Sequence, residues 1–178
     1  MEHVIELKNV NKKFKGFELK DFSIAIKKGY VTGFIGGNGV GKSTTIKLIM
    51  NILQPDSGGI KIFGLDYKKH EKEIKQRIGF VYDEGTFYEH LTLHEMKQVL
   101  KPTYKKWDDE LFQSYVQSFQ LPLNKKLKTF SKGMMMKASL AIALSHHAEL
   151  IIMDEPTSGL DPIFRRELLD ILHDLMQD

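Results

Sequence analysis

The apolar positions of this chain change their period several times. From Val4 to Val10, Ile5 and Leu7 alternate with Glu6 and Lys8, a period of two that predicts a strand. Phe22, Ile24 and Ile26 alternate with Ser23 and Ala25 and predict a second strand, after which Lys27-Lys28-Gly29 turns the chain. Tyr30 to Ile35 is a short apolar run ending in glycines, the pattern of a buried strand. From Gly41 the period becomes helical, with Ile46, Ile49, Met50 and Leu53 on one face. Pro55 to Gly59 is turn material, and Ile60 to Phe63 reads as a strand.

Ile78 to Tyr82 predicts a further strand. Thr92 followed by Glu95 is a capping-box signature, opening a helix toward Leu100. Asp108 or Asp109 can cap the next helix, whose apolar face is Leu111, Phe112, Tyr115, Val116 and Phe119; Ser131 can cap a third, running to about Ser145. Leu150 to Met153 is an apolar run of strand length. A last helix starts near Pro162, with Phe164, Leu168, Ile171, Leu172 and Leu175 on one face. Strands alternate with helices, and an all-helical stretch interrupts them from about 92 to 146, the layout of an α/β fold.

A length of 178 residues suits one domain, and 42% hydrophobic with 28% charged residues is enough for an ordinary core. There is no cysteine, which excludes disulfides and thiolate metal sites. A net charge of +3, with the basic residues scattered in pairs, is too mild to argue for nucleic acid, and none is expected as a partner. No apolar run approaches the roughly 20 residues of a membrane helix. The N-terminus lacks a basic start and an apolar core, so no signal peptide is expected. Any membrane role must come through a partner.

Gly36-Gly37-Asn38-Gly39-Val40-Gly41-Lys42-Ser43 matches G-x-x-x-x-G-K-S between a predicted strand and a predicted helix. Glycines let successive backbone N–H groups face inward onto phosphate oxygens, and the helix start points its positive dipole end at the same anion. Lys42 supplies a charge to the outer phosphates, the Ser43 hydroxyl can ligate Mg2+, and Thr44 can add a hydroxyl to the inner phosphates. The run Leu150–Met153 ends in Asp154-Glu155. A carboxylate there can hold Mg2+, which suits Asp154, and Glu155 could then polarise an attacking water as general base. Strand-end acids also occur as mere solvent-facing groups; the phosphate loop makes the catalytic reading the stronger.

With these motifs in place, the chain resembles the ATP-binding subunits of ABC transporters over essentially its whole length. Asp154-Glu155-Pro156-Thr157-Ser158-Gly159-Leu160-Asp161-Pro162 is similar to the family's stretch from the Walker B strand to the D-loop. Phe130-Ser131-Lys132-Gly133-Met134 occupies the place of the signature Leu-Ser-Gly-Gly-Gln, about 20 residues before the acidic strand end. Ser131 and Gly133 survive, and the resemblance implies that they contact the γ-phosphate held by a second subunit; Ser131 is also a helix cap, and both roles can coexist. Where the family has the glutamine of its Q-loop, this chain has Asp83, which the resemblance makes a further Mg2+ contact, directly or through a water. Phe14 stands in the place of the aromatic that stacks on adenine, with Phe17 near enough to compete.

The resemblance implies a P-loop NTPase fold: a RecA-like, mostly parallel core sheet, an N-terminal antiparallel β subdomain, and a helical insert at about 88–146 carrying the signature. It implies ATP and Mg2+ as ligands, and ATP hydrolysis driving transport through a separate membrane permease. It also implies a second ATP-binding domain packed head to tail, and a place on the cytoplasmic, inner face of the membrane. Tyr88-Glu89-His90-Leu91-Thr92 is most similar to bacterial exporters of drugs or peptides. The alternatives are a non-transport ABC ATPase, or a nucleotide-binding module without turnover. The helical pattern runs to Asp178 with no stop signal, and no residue corresponds to the family's later γ-phosphate histidine. The chain is therefore expected to be a C-terminally incomplete single domain, lacking the strand that in the family lies between Tyr30–Ile35 and Leu150–Met153, so that its core is disturbed.

Overall fold

A computed structural model of the chain describes residues 3–81, 88–159 and 161–176. Two compact units follow one another, one up to Lys75 and one from Gln76 onward.

In the first unit, β1 (His3–Phe14) and β2 (Phe17–Lys27) form an antiparallel hairpin. β3 (Ser57–Ile62) pairs with the other side of β1, and the short β4 (Leu65–Asp66) with β3, giving the order β2-β1-β3-β4. The predicted alternation holds at first, with Ile5 and Leu7 buried together with Val4 and Val10. The hairpin then changes phase: its register shifts between Leu7 and Val10 and again between Val10 and Lys12, and Asn9 and Asp21 take positive φ of 48° and 45°. The Asn11 side chain holds this bulge, accepting from the Asp21 N–H at 2.8 Å and donating to the Asn9 carbonyl at 2.9 Å and the Ser57 hydroxyl at 3.0 Å. Bulges of this kind re-aim the residues beyond them. Here they carry β1 four residues past the predicted end, to Phe14.

Tyr30–Ile35 is a correction. The apolar run forms no strand, and Tyr30 is 64%, Val31 66% and Ile35 94% exposed. An apolar strand needs a ladder neighbour to satisfy its backbone, and among the described residues none pairs with it. α1 (Lys42–Ile49) follows the loop and buries Thr45, Leu48 and Ile49 rather than the expected stripe of Ile46, Ile49, Met50 and Leu53. The helix ends after eight residues, and Asn51 turns away at φ 56°, so Leu53 lies beyond it. β3 begins at Ser57, inside the predicted turn. The kinked helix α2 (Tyr67–Gln76) was not legible, because its only buried residues are Tyr67 and Ile74 among charged neighbours.

In the second unit, β5 (Ile78–Val81) and β6 (Leu150–Met153) run parallel, paired from Ile78↔Leu150 to Val81↔Met153. Arg77 fixes that register with two bonds to the Glu149 carboxylate, both 2.8 Å, while its carbonyl accepts from the Glu149 N–H at 2.8 Å. Between the strands come α3 (Leu93–Leu100), α4 (Asp109–Ser118) and α5 (Lys132–Ser145). Their starts are those the caps predict. The Glu95 N–H donates to Thr92 Oγ1 at 3.1 Å and the Thr92 N–H to Glu95 Oε2 at 2.7 Å, a reciprocal box. Asp108 accepts from the Leu111 N–H at 2.9 Å. Leu93, Met96, Phe112, Val116, Leu127 and Ile142 close one core, each large side chain contributing about 1.5–3 kcal/mol. After β6 comes α6 (Pro162–Asp174), whose Phe164 and Leu168 join Val81, Met136 and Leu140 in a second core. The antiparallel sheet, the parallel pair and the intervening helices give the α/β class expected. No helix among the described residues is long and apolar enough to cross a membrane.

Candidate functional site

The residues singled out by sequence fall into both units. Phe14 and Gly36–Thr44 belong to the first; Ser131, Gly133, Asp154 and Glu155 belong to the second. Asp83 lies outside the described residues.

The phosphate loop closes on α1 through Gly41, whose φ of 102° suits glycine alone and whose carbonyl accepts the Thr45 N–H at 2.8 Å. A side chain at Gly41 would meet more than strain. A Cβ there would stand 2.8 Å from Cζ of Phe17 and 3.5 Å from Leu19, so the β1–β2 hairpin seats directly on the start of the helix. The Lys42 ammonium folds back and donates to the carbonyls of Gly36 at 2.8 Å and Gly37 at 2.9 Å. It is held within the loop by groups that an anion's oxygens can replace. Gly36–Val40 and Ser43 are exposed, as a ligand-binding loop requires. Phe17 is thus a packing residue, and Phe14, 39% exposed with its ring 6.3 Å from that of Phe17, is the aromatic left at the surface. The Phe17–Gly41 contact joins residues far apart in sequence and gave no local signal.

In the second unit, Asp154 continues β6, its N–H donating to the Val81 carbonyl at 3.3 Å. Glu155 then leaves the strand in the left-handed region, at φ 45°, and its carbonyl accepts from the Ser158 N–H at 3.0 Å. A non-glycine residue there stores of order 1–3 kcal/mol of strain, a feature concentrated at functional turns. The turn exposes the Glu155 side chain while Asp154 stays partly buried. Ser131 caps α5, accepting the Met134 N–H at 3.2 Å, so its hydroxyl is engaged as a cap. Gly133 admits the Phe164 ring, which a Cβ would meet at 3.0 Å, and the Lys132 side chain lies along Gly159, its amino group 3.1 Å from where a Cβ would stand. Lys137 Nζ reaches Glu167 at 2.6 Å and sits 5.5 Å over the Phe164 ring. The helix start bearing Ser131 and Gly133 therefore packs on α6 and on Gly159, the stretch that follows Glu155.

Residues 19–158 match the family model described as ABC transporter. The bacitracin transport ATP-binding protein BcrA of Bacillus licheniformis is 35% identical over 183 residues, covering all of this chain and 59% of that protein. The ABC transporter ATP-binding protein YtrB of Bacillus subtilis is 34% identical over 172 residues, covering 96% of this chain and 59% of that protein. A solved ATP-binding subunit of an ABC transporter superposes with a TM-score of 0.85 at 28% identity, over 98% of this chain and 75% of that one. The ADP form of MJ1267, an ATP-binding cassette, gives 0.82 at 25% identity, over 99% and 78%. The chain belongs to the ABC transporter ATP-binding family. It spans 59% of the length of these curated relatives.

Proposed function

We propose that the chain binds Mg2+-ATP at Gly36–Thr44, with Phe14 against the adenine, and that it serves ATP hydrolysis driving transport through a separate membrane permease. The observation that carries this reading is the loop itself: a glycine-rich turn entering α1 through Gly41, with the Lys42 ammonium held over the Gly36 and Gly37 carbonyls. Loop N–H groups and the dipole of α1 bind and orient the phosphates, and Lys42 exchanges its carbonyls for phosphate oxygens. The donor chemistry suits Mg2+, since Ser43 Oγ, the Asp154 carboxylate and Asp83 are hard oxygen ligands. The ion, when bound, neutralises charge on the transferred phosphoryl group. Glu155 holds the attacking water and takes its proton, its side chain presented by the strained turn after β6.

By the same reading, residues 88–146 form an insert in a single ATP-binding domain, and Ser131 and Gly133 face the nucleotide of a second domain packed head to tail. The permease would hold the chain at the cytoplasmic face of the membrane. The name of BcrA, which gives bacitracin transport, is consistent with a drug or peptide as the transported compound. A second reading, nucleotide binding without turnover, is favoured by Tyr30–Ile35, the segment that leads into the loop and pairs with no strand among the described residues. Calorimetry with Mg2+-ATP decides the first step: Lys42→Ala is expected to abolish binding, and unchanged affinity would rule the site out. Measured turnover above background by the parent chain, abolished by Lys42→Ala, separates the two readings.

A further inference from the structure

The aromatic at the tip of the hairpin has a cationic companion that the phosphate loop does not explain. Lys12 and Phe14 lie two residues apart on β1, beyond the bulge held by Asn11, so the strand's period places them on the same face. The Lys12 ammonium stands 5.7 Å over the centroid of the Phe14 ring, within cation–π range. Its side chain is 18% exposed, and it donates to Asp56 Oδ1 at 2.7 Å. The other oxygen of Asp56 accepts the Lys13 N–H at 2.8 Å, so one carboxylate holds both the lysine's ammonium and the β1 backbone one residue on. These bonds, that from Lys12 first, hold the Asp56 carboxyl below its usual range, so it stays anionic. Asp56 is tied in turn by its N–H to the Asn11 carbonyl at 2.8 Å. After these contacts Phe14 still has ring surface open to solvent.

We propose that Lys12, clamped by Asp56, is a positioning residue for the adenine platform, orienting and polarising the Phe14 ring against which the base stacks. This rests on the reading of Phe14 as that platform. A fixed cation on the ring restricts its rotamers before the base arrives and draws π density from it, which favours stacking by an electron-rich purine. Among the described residues the bonds of Lys12 and Asp56 run to each other and to β1, and none to Gly36–Thr44, so the effect is expected on ligands that carry a base.

The test uses the whole chain and two probes, Mg2+-ATP and Mg2+-tripolyphosphate, measured by calorimetry. Lys12→Met is expected to weaken ATP about 2- to 5-fold, the range of an exposed cation–π contact, and to leave tripolyphosphate unchanged. Lys12→Arg, which keeps a cation, restores ATP affinity, and Asp56→Asn, which frees the lysine, weakens ATP in the same direction. In a Phe14→Ala background, Lys12→Met has no further effect. Equal weakening of both probes would make Lys12 a phosphate-directed charge and overturn the inference. So would an additive loss in the Phe14→Ala background, or wild-type ATP affinity in Lys12→Met. If Phe14→Ala alone leaves the ratio of the two affinities unmoved, the platform reading itself fails, an outcome distinct from Phe14→Ala acting while Lys12→Met does not.

Discussion

Gly41→Ala puts the seating of the hairpin on the phosphate loop to a quantitative test. At φ 102° the backbone lies well beyond the left-handed well near +50° to +70°, so any Cβ costs of order 1–3 kcal/mol in strain. The new methyl would also stand 2.8 Å from Phe17 Cζ, and displacing a packed ring costs about 1–3 kcal/mol more. The sum, about 2–6 kcal/mol, is a large part of the 5–15 kcal/mol that holds a typical domain together. Gly39→Ala supplies the control. Its φ of 79° carries the same kind of strain, but nothing lies within 4 Å of its Cβ, so it should lose only the conformational part. Urea unfolding followed by circular dichroism measures both, and the difference contains the Phe17 clash together with the greater strain at φ 102°. Phe17→Leu in the Gly41→Ala background should recover part of that difference, seen as a coupling energy in a double-mutant cycle. Equal losses at Gly39 and Gly41, or no coupling to Phe17, would refute the seating.

Glu155→Gln should retain ATP while turnover falls by roughly 10²–10⁴, the usual weight of a general base; equal turnover in variant and parent defeats the assignment. The ring of His146 is 1% exposed and stacked on Tyr104 at 3.8 Å, and burial, with the nearby His147 charge adding to it, pushes the group down to about 4 against opposing bonds from its own backbone and Gln76. Between about pH 6.5 and 4 the unfolded chain therefore binds a proton that the folded chain refuses. Stability present above pH 6.5 drains away through that window by up to about 3 kcal/mol, and His146→Phe should flatten the slope in acid unfolding curves. Arg77→Ala removes the paired bonds to Glu149 at the mouth of the β5–β6 ladder and should cost about 1 kcal/mol in chemical denaturation, since both groups are partly solvated.

Features that depend on a few neighbouring residues could be read from the chain. The caps at Thr92 and Ser131 appear where predicted, and Asp108 proves the cap of the two aspartates offered, because a short polar side chain and an N–H three residues on suffice to make them. The phosphate loop is equally local. What escaped depends on partners far along the chain. The β1–β2 bulge rests on Asn11 meeting Asp21 and Ser57, so no window of sequence contains it. The tight approach of Phe164 to Gly133 joins residues 31 positions apart (164 − 133). Tyr30–Ile35 has the composition of a strand, yet composition does not provide the neighbouring strand that a ladder requires. Helix α2 escaped for the opposite reason, carrying too little apolar surface to show a period.

The bared run Tyr30-Val31-Thr32-Gly33-Phe34-Ile35 has a consequence for handling this protein. It is six residues long, uncharged, free of proline and rich in β-branched and aromatic side chains, the make-up of a segment that zips onto copies of itself. Lys27 and Lys28 stand just ahead of it as flanking charges that slow such growth, while the downstream side offers only Gly36 and Gly37. Concentrated solutions should therefore lose material to fibrillar or amorphous deposits that begin here, faster as salt screens the two lysines. A single lysine or aspartate at exposed Val31 would keep the chain in solution without touching the loop that follows.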